Sequence, residues 1–427
     1  MKLLKRTQSI LKSLSSKIGI FDFFVCLFFG LACFSIPTFS FLGILNVVTW
    51  VFTISFLSLM AYKVFFINKQ ISFDYISFSF ILFAFSSLIS SLLNGMVNFG
   101  LTALLMTITT FVIYTFVKEN KHLKYILIKV VYLATVLFLI VFIIIYHHQL
   151  ATFNISNRLG GDFGNINDVA IFLGLGICLS CFYAFSAKKW YFKLANGFAC
   201  VFFMYAGLST GSKILILTSI LFFVFFIIVF FGKKKWYISL AILFLVIVFG
   251  VVILNLPFAR IIRERFYSMI MTFFDLEIST TTYVDYSSIY RLQMFINGIE
   301  MMLRKPLFGY GFHGFHNYSS FGYAWSHNNF SETLVCFGVA GTILYFFPYI
   351  CSVLKSREKI KEDKKSNLVF VGILLFYFIC MFSFAFDVQK VFAYTIGIVY
   401  VSLNDQKNII VIKLNNVLKR KKKEAII

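Results

Sequence analysis

The sequence predicts an all-α, polytopic integral membrane protein of about 12 transmembrane helices, with one large outer loop that contains short helices. Two observations lead to this prediction. The 427 residues are 60% hydrophobic and only 13% charged. Apolar runs of about 20 residues, long enough to cross a bilayer as helix, recur along the chain. The alternating segments of about ten residues that are typical of an outer-membrane barrel are absent. We therefore expect residues 1–427 to form a single membrane domain.

Most of the predicted spans are bounded by charges or by clusters of Gly and Asn. The first five carry little polar chemistry and are expected to form scaffold. The spans lie near residues 20–36, 41–62, 71–93, 98–117, 124–146, 166–186, 190–209, 212–231, 236–256, 330–354, 367–386 and 390–403.

The positive charges indicate how the chain lies in the membrane. With the N-terminus inside, the inner segments hold 30 of the 39 lysines and arginines, and the outer segments hold nine. Such an excess marks cytoplasmic loops, so both termini are predicted to be cytoplasmic. Residues 147–165 and 257–327 then form outer loops, and residues 404–427 form a basic cytoplasmic tail. This topology and anionic lipid head groups explain the net charge of +22, so nucleic-acid binding is not predicted.

Six of the nine arginines nevertheless lie in outer segments. Because the guanidinium group is a planar fork of donors suited to phosphate and carboxylate, this bias suggests an anionic ligand outside. Three of the six fall in a predicted amphipathic helix at 258–274 and are assigned to lipid head groups. Arg291 lies in the first turn of a second predicted helix, at 288–304. The eight cysteines all fall within spans and are interpreted as apolar filling.

Two shorter outer segments carry further cations. Arg158 precedes a run rich in Gly and Asn, and two readings are equally supported: a ligand-binding arginine, or a turn whose Asp168 caps the sixth span. Ser209–Lys213 forms a tight turn at a helix start, where exposed backbone N–H groups attract anions. Taken alone, Lys213 is better explained as an interfacial lysine that reaches lipid head groups.

Three further short motifs follow in order: Ser288-x-x-Arg291, Pro306–Gly311, and His327-Asn328 with Gly338-x-x-Gly341. Together with Arg158 and the run that follows it, and with Ser209–Lys213, they resemble the bacterial O-antigen ligase and O-antigen or capsule polysaccharide polymerase family. The likeness covers residues 150–345 in order, and each motif alone is short. Lysine stands at position 213, where the family usually has arginine.

The resemblance implies a glycosyltransferase with a GT-C-like fold in the bacterial cytoplasmic membrane, its active site on the outer face. The implied donor is an undecaprenyl-diphosphate-linked oligosaccharide. Membrane lipids, and other membrane proteins of polysaccharide assembly, are the further partners to consider. A polymerase passes the glycan to a new lipid-linked repeat unit, whereas a ligase passes it to lipid A–core. The sequence leans slightly towards the polymerase, although the histidine motif suits a ligase.

The chemistry of such a transfer assigns roles to these residues. Breaking a sugar C1–phosphate bond calls for cations that stabilise the leaving diphosphate, and for a base that titrates near neutrality. His327 could instead hold the diphosphate or cap the tenth span. His313 and His316 lack metal-ligand spacing, and no nucleotide motif is present, so neither metal nor other cofactor is predicted. The predicted site comprises His327 and Arg291 as catalytic residues, Arg291, Lys213 and Arg158 as diphosphate-binding residues, and Asn328, Gly309, Gly311, Gly338 and Gly341 as supporting residues.

A polytopic transporter is the alternative from another class. Many secondary transporters have twelve spans, but they combine related halves with polar or broken helices near the bilayer midplane. No internal repeat is visible in this sequence, and its polar residues gather in the outer loops. Transport of labelled substrate into vesicles without a change in glycan length would favour the transporter.

Overall fold

The computed structural model describes residues 19–38, 45–151, 158–163, 165–213, 286–322, 325–382, 390–404 and 408–413, with scattered residues between 215 and 267. The described part is mostly helical, as predicted. Its helices are α1 (Ile20–Thr38), α2 (Leu45–Tyr62), α3 (Tyr75–Leu93), α4 (Val97–Glu119), α5 (Lys124–Ile145), α6 (His147–Ala151), α7 (Ile166–Ser186), α8 (Trp190–Ser209), α9 (Tyr286–Arg304), α10 (Gly314–Tyr318), α11 (Asn329–Glu362), α12 (Lys364–Cys380) and α13 (Lys390–Leu403). A π-helical turn (Lys63–Asn68) follows α2, and 3-10 turns lie at Lys121–Leu123 and Gly161–Phe163.

These helices make the chain a polytopic membrane protein. Within the described residues, six helices are long and apolar enough to cross a membrane, and three shorter apolar helices accompany them. Helices occupy ten of the predicted span positions, and α9 confirms the helix predicted at 288–304. The predicted spans at 212–231 and 236–256 and the amphipathic helix at 258–274 lie largely outside the described residues. The six are Val47–Asn68, Tyr75–Leu93, Lys121–Ile145, Ile166–Ser186, Trp190–Ser209 and Asn329–Glu362.

Two helices end at other residues than the spans predicted there. Helix α11 continues to Glu362, beyond the predicted 354, because charged side chains extend it into water; the Lys359 ammonium pairs with the Glu362 carboxylate at 2.7 Å. Helix α12 ends at Cys380 instead of 386, and its next carbonyl, that of Met381, accepts a hydrogen bond from the N–H of Asn329 (2.8 Å).

A short antiparallel sheet corrects the all-α prediction. Strand β1 (Gln70–Phe73) pairs with β2 (Ile410–Lys413), with Gln70 opposite Lys413. The first residues of the span predicted at 71–93 are therefore strand, and part of the predicted 404–427 tail is its partner. Periodicity cannot separate a short apolar strand from the start of a buried helix. Asp74 makes the division, because its carboxylate caps α3 at the Ser77 N–H (2.8 Å).

Among the six long apolar helices of the described residues, α7 is the most buried. Two glycines let neighbouring helices approach closely. A Cβ on Gly174 would lie 2.8 Å from the Phe376 ring of α12, and one on Gly176 would collide with Phe203 of α8. Close packing of small residues is a common basis of helix association in membranes. This packing holds α7 against α8 and α12. The ends of these helices adjoin the candidate site.

Candidate active site

The loop Pro306–Gly311 lies against a break in α11. The helix is interrupted at Gly338, whose backbone (φ 64°, ψ −171°) is not helical. Such a break releases the carbonyls of the preceding turn from the helical hydrogen-bond ladder. The Tyr310 N–H donates to the Val335 carbonyl (2.8 Å), and the Gly311 N–H donates to the next carbonyl (2.9 Å). Two motifs that are separate in sequence therefore form one structural unit.

Glycine is required on both sides of this contact. Gly309 and Gly338 both have positive φ, 67° and 64°, a region that residues with a Cβ rarely adopt. A Cβ on Gly309 would lie 2.4 Å from the Val335 carbonyl oxygen, and one on Gly338 would lie 2.4 Å from the Leu307 carbonyl oxygen. Since these neighbours are backbone, they cannot move aside as a side chain can. Both predicted supporting glycines thus act by permitting backbone contact.

Helix α3 holds this unit from the opposite side. The Ser90 hydroxyl donates to the Cys336 carbonyl (2.8 Å), and the Asn94 amide donates to the Gly309 carbonyl (3.1 Å). The Lys305 ammonium in turn donates to the Asn94 side-chain oxygen (2.5 Å). This span was predicted to be scaffold with little polar chemistry, so these contacts were not expected. The sequence signal for these contacts was a set of serines spaced to share one face of the helix, and the structure buries all of them: Ser86, Ser87, Ser90 and Ser91.

The remaining two supporting glycines pack on the same serine face. A Cβ on Gly311 would lie 3.1 Å from the Ser91 Cα, and one on Gly341 would lie 3.3 Å from the Ser86 hydroxyl. Gly311 also has a positive φ of 84°. The four predicted supporting glycines therefore all lie at the interface between α3, the Pro306–Gly311 loop and the broken helix α11.

His327 lies in a tight turn immediately before α11. Its backbone is left-handed (φ 52°), which is uncommon for a residue with a side chain. The Ser326 hydroxyl donates across the turn to the Asn328 carbonyl (2.9 Å). Asn328 is the N-cap of α11, since its side-chain oxygen accepts from the N–H groups of Phe330 (2.9 Å) and Ser331 (3.2 Å). The cap role considered for His327 therefore belongs to its neighbour, and the imidazole is left half-buried.

The structure brings Arg291 near His327. Helix α9, which carries Arg291, packs closely on α11, because a Cβ at Gly298 would collide with the Ser331 side chain. Burial, and then the positive charge of Arg291, hold the pKa of His327 below its usual value of 6.5. The imidazole is therefore neutral near pH 7 and able to accept a proton.

Arg158 and the Ser209–Lys213 turn form a second group of predicted site residues. The Arg158 guanidinium donates from Nε to the Thr210 carbonyl (2.8 Å) and from Nη2 to the Asn167 side-chain oxygen (3.5 Å). Gly211, with a φ of 65°, turns the chain two residues before Lys213. Two cations that are 55 residues apart in the numbering thus belong to neighbouring backbone segments.

The start of α7 differs from the prediction at its cap. Asn165 caps the helix instead of Asp168, with its side-chain oxygen accepting from the Asn167 N–H (2.9 Å). Asp168 lies in the first turn, where the positive end of the helix dipole favours a carboxylate. Before α7, the Tyr146 hydroxyl donates to the Asp162 carboxylate (2.8 Å) and accepts from the Gly160 N–H (3.0 Å).

Both groups lie at the same end of the helical bundle. Helix α7 begins beside Arg158 and packs on α12 through Gly174 and Phe376. Helix α12 ends at the Met381 turn, whose carbonyl accepts from the N–H of Asn329, two residues after His327. The cations and the histidine therefore face the same side of the membrane-spanning part.

Other side chains near the turn escaped the sequence analysis. The Trp325 ring lies 4.4 Å from that of His313 and 5.7 Å from that of His316, measured between centroids. Burial, and then His316, lower the pKa of His313 to about 4. Glu332, in the first turn of α11, is fully buried and accepts from the Ser326 N–H (2.9 Å). Among the described residues, no three His, Cys, Asp or Glu side chains gather as a metal site.

Residues 198–346 match the family model described as O-antigen ligase. These residues are therefore similar to an O-antigen ligase domain. The predicted family resemblance is thereby confirmed, and the match covers about a third of the chain. It contains Lys213, the Pro306–Gly311 loop, Arg291 and the histidine motif, whereas Arg158 precedes it. No curated protein matches the chain.

The O-antigen ligase domain and the membrane helices together indicate a bacterial inner-membrane protein with a glycosyltransferase-like ligase or polymerase activity. The family implies lipid-linked glycan substrates and contact with membrane lipids. It gives no support to the transporter alternative.

Proposed function

We propose that the protein polymerises undecaprenyl-diphosphate-linked oligosaccharide repeat units of O-antigen or capsule on the outer face of the cytoplasmic membrane. The outer assignment rests on the charge distribution, because the loops that carry the site have few lysines and arginines while the opposite side has thirty. We propose twelve spans with both termini cytoplasmic. The diphosphate and the reacting hydroxyl would then meet at the outer ends of α7 and α11.

The placing of a half-buried His327 in the turn before α11, with the helix that carries Arg291 packed against α11, is the observation that carries the proposal. A base must be deprotonated before it can accept a proton, and burial together with Arg291 keeps this histidine neutral. This favours His327 as base and Arg291 as the diphosphate contact.

The transfer step follows from these two roles. A ring nitrogen of His327 takes the proton of the acceptor hydroxyl while the hydroxyl oxygen attacks C1 of the donor sugar. The C1–oxygen bond to phosphate breaks, and the electron pair leaves with the diphosphate. The Arg291 guanidinium stabilises that developing charge with two parallel hydrogen bonds, which lysine cannot reproduce. Lys213 and Arg158 neutralise the rest of the diphosphate.

A ligase that transfers the glycan to lipid A–core is the second candidate, and the description of the matched family favours it. The glycan gel of a deletion strain separates the two. Loss of a polymerase leaves a single repeat unit on the core, whereas loss of a ligase leaves no O-antigen on it. A wild-type gel from the deletion strain would contradict both.

The activity of wild-type protein should fall as pH falls. Because His327 must be neutral and its pKa is lowered, kcat/KM should be level near pH 7 and decrease only below the usual imidazole range. Arg291→Gln should move this acid limb to higher pH, since the cation that lowers the pKa is gone, whereas Arg291→Lys should leave its position unchanged. The measurement is kcat/KM between about pH 5 and 8. A profile that rises towards low pH would assign the histidine a charged, phosphate-holding role.

Substitutions of Lys213 test whether Arg158 and the Ser209–Lys213 turn bind the diphosphate. Lys213→Ala should reduce transfer strongly, by about tenfold or more, because it removes a diphosphate contact. Lys213→Arg should keep wild-type activity, since it retains the charge and restores the residue usual in the family. The readout is the glycan ladder of the complemented deletion strain, with protein amounts measured by blot. Equal ladders from both variants would make Lys213 an interfacial lysine only.

A further inference from the structure

Glu332 is a buried carboxylate directly behind the histidine turn. Its exposed fraction is 0%, although Asp and Glu are rarely fully buried without partners. One carboxylate oxygen accepts from the Ser326 N–H (2.9 Å), and the other lies 3.5 Å from the Cys336 thiol, which donates to it. His316 interacts with it electrostatically. Glu332 thereby links the residue before His327 to the turn of α11 that precedes the break.

The turn that carries His327 needs such support. A non-glycine residue in the left-handed region persists only where its surroundings determine the backbone on both sides. On the C-terminal side, Asn328 caps α11 through two N–H groups. On the N-terminal side, Ser326 is held through its backbone by Glu332 and through its hydroxyl by the Asn328 carbonyl.

We propose that Glu332 is a positioning residue for His327: its buried carboxylate fixes the Ser326 backbone and so aims the imidazole at the acceptor hydroxyl. This inference rests on the proposed function for its catalytic part. Cys336 connects the same carboxylate to the docked loop, because the Cys336 carbonyl accepts from the Gly311 N–H (2.9 Å) and from Ser90. The carboxylate therefore sets the histidine turn relative to the glycine contact.

The test uses purified full-length protein with an undecaprenyl-diphosphate-linked repeat unit isolated from the deletion strain. Glu332→Ala should lower kcat by about ten- to a hundredfold with KM nearly unchanged, because a misaimed base slows the chemical step without weakening binding. Glu332→Gln should restore much of kcat, since its amide oxygen can still accept from Ser326. Thr333→Val is the matched control: Thr333 is equally buried and adjacent, and its hydroxyl bonds within its own helix to the Asn329 carbonyl (2.8 Å).

Hydrogen exchange of backbone amides gives a readout that does not depend on transfer. In Glu332→Ala, exchange should accelerate in peptides covering residues 325–328 and stay unchanged in α9. If Glu332→Ala is not retained in the membrane, Glu332→Gln is compared with wild-type protein instead, at matched protein amounts. The expected loss of kcat is then smaller. Three results would each overturn the inference. They are a wild-type kcat in both variants, a change confined to KM, and unchanged hydrogen exchange at the turn. Absence of transfer by wild-type protein would overturn the proposed function instead, and exchange would then decide the positioning role.

Discussion

Arg291→Ala and His327→Ala are each expected to lower glycan transfer by about 10²–10³-fold while the protein remains in the membrane at near wild-type amounts. The first removes the cation that stabilises the leaving diphosphate, and the second removes the base. Neither residue lies in the interior of a span, so neither substitution empties a packed core. The assay is the glycan ladder of a deletion strain complemented with each variant, and blots report the amount of protein.

Arg291→Lys sharpens this prediction. It preserves the charge but loses the planar fork, so transfer should remain severely reduced if the phosphate contact is bidentate. Arg263→Ala is the control, because Arg263 is an exposed outer arginine assigned to lipid head groups, and the variant should keep most activity. Wild-type ladders from both Arg291→Ala and His327→Ala would contradict the roles assigned to them.

Gly309→Ala is expected to destabilise the site strongly. Its Cβ would lie 2.4 Å from a backbone oxygen and 2.7 Å from the Gly338 nitrogen, so the loop and the broken helix must separate. Overpacking of this kind, added to the strain of a positive φ, costs about 3 kcal/mol or more. Thermal unfolding in detergent should occur at lower temperature, and transfer should be lost with it.

Gly322→Ala is the matched control for the glycine prediction. Gly322 also has a positive φ, 54°, but no atom lies within 4 Å of its added Cβ. It should therefore suffer only the backbone strain, about 1 kcal/mol, and retain transfer. Equal stability of Gly309→Ala and the control would show that the loop does not press on α11 as described.

Local sequence signals explain how much could be predicted. Apolar runs gave the positions of most helices, and the charge partition predicted one side for all outer loops. Helix α9 was predicted because its periodic segment ends before Pro306. These features depend on residues close together in the chain, where periodicity, caps and breakers act.

The remaining features depend on contacts between distant residues. Ser90 reaches the carbonyl of Cys336 across 246 positions, and β1 pairs with a strand near the opposite end of the chain. No local pattern encodes such a pairing. The break at Gly338 was likewise hidden, since the apolar run continues through it. The burial of Glu332 was hidden as well, because it depends on how the histidine turn folds back over α11.

Transfer by purified protein in proteoliposomes tests the central claim most directly. The undecaprenyl-diphosphate-linked repeat unit serves as both donor and acceptor, and the products are separated by mass. The proposed polymerase should form lipid-linked dimers and longer glycans and release undecaprenyl diphosphate in step, whereas His327→Ala should do neither. If folded wild-type protein forms no new glycosidic bond with this substrate, with or without lipid A–core as acceptor, the assignment of a glycosyltransferase centred on Arg291 and His327 is contradicted.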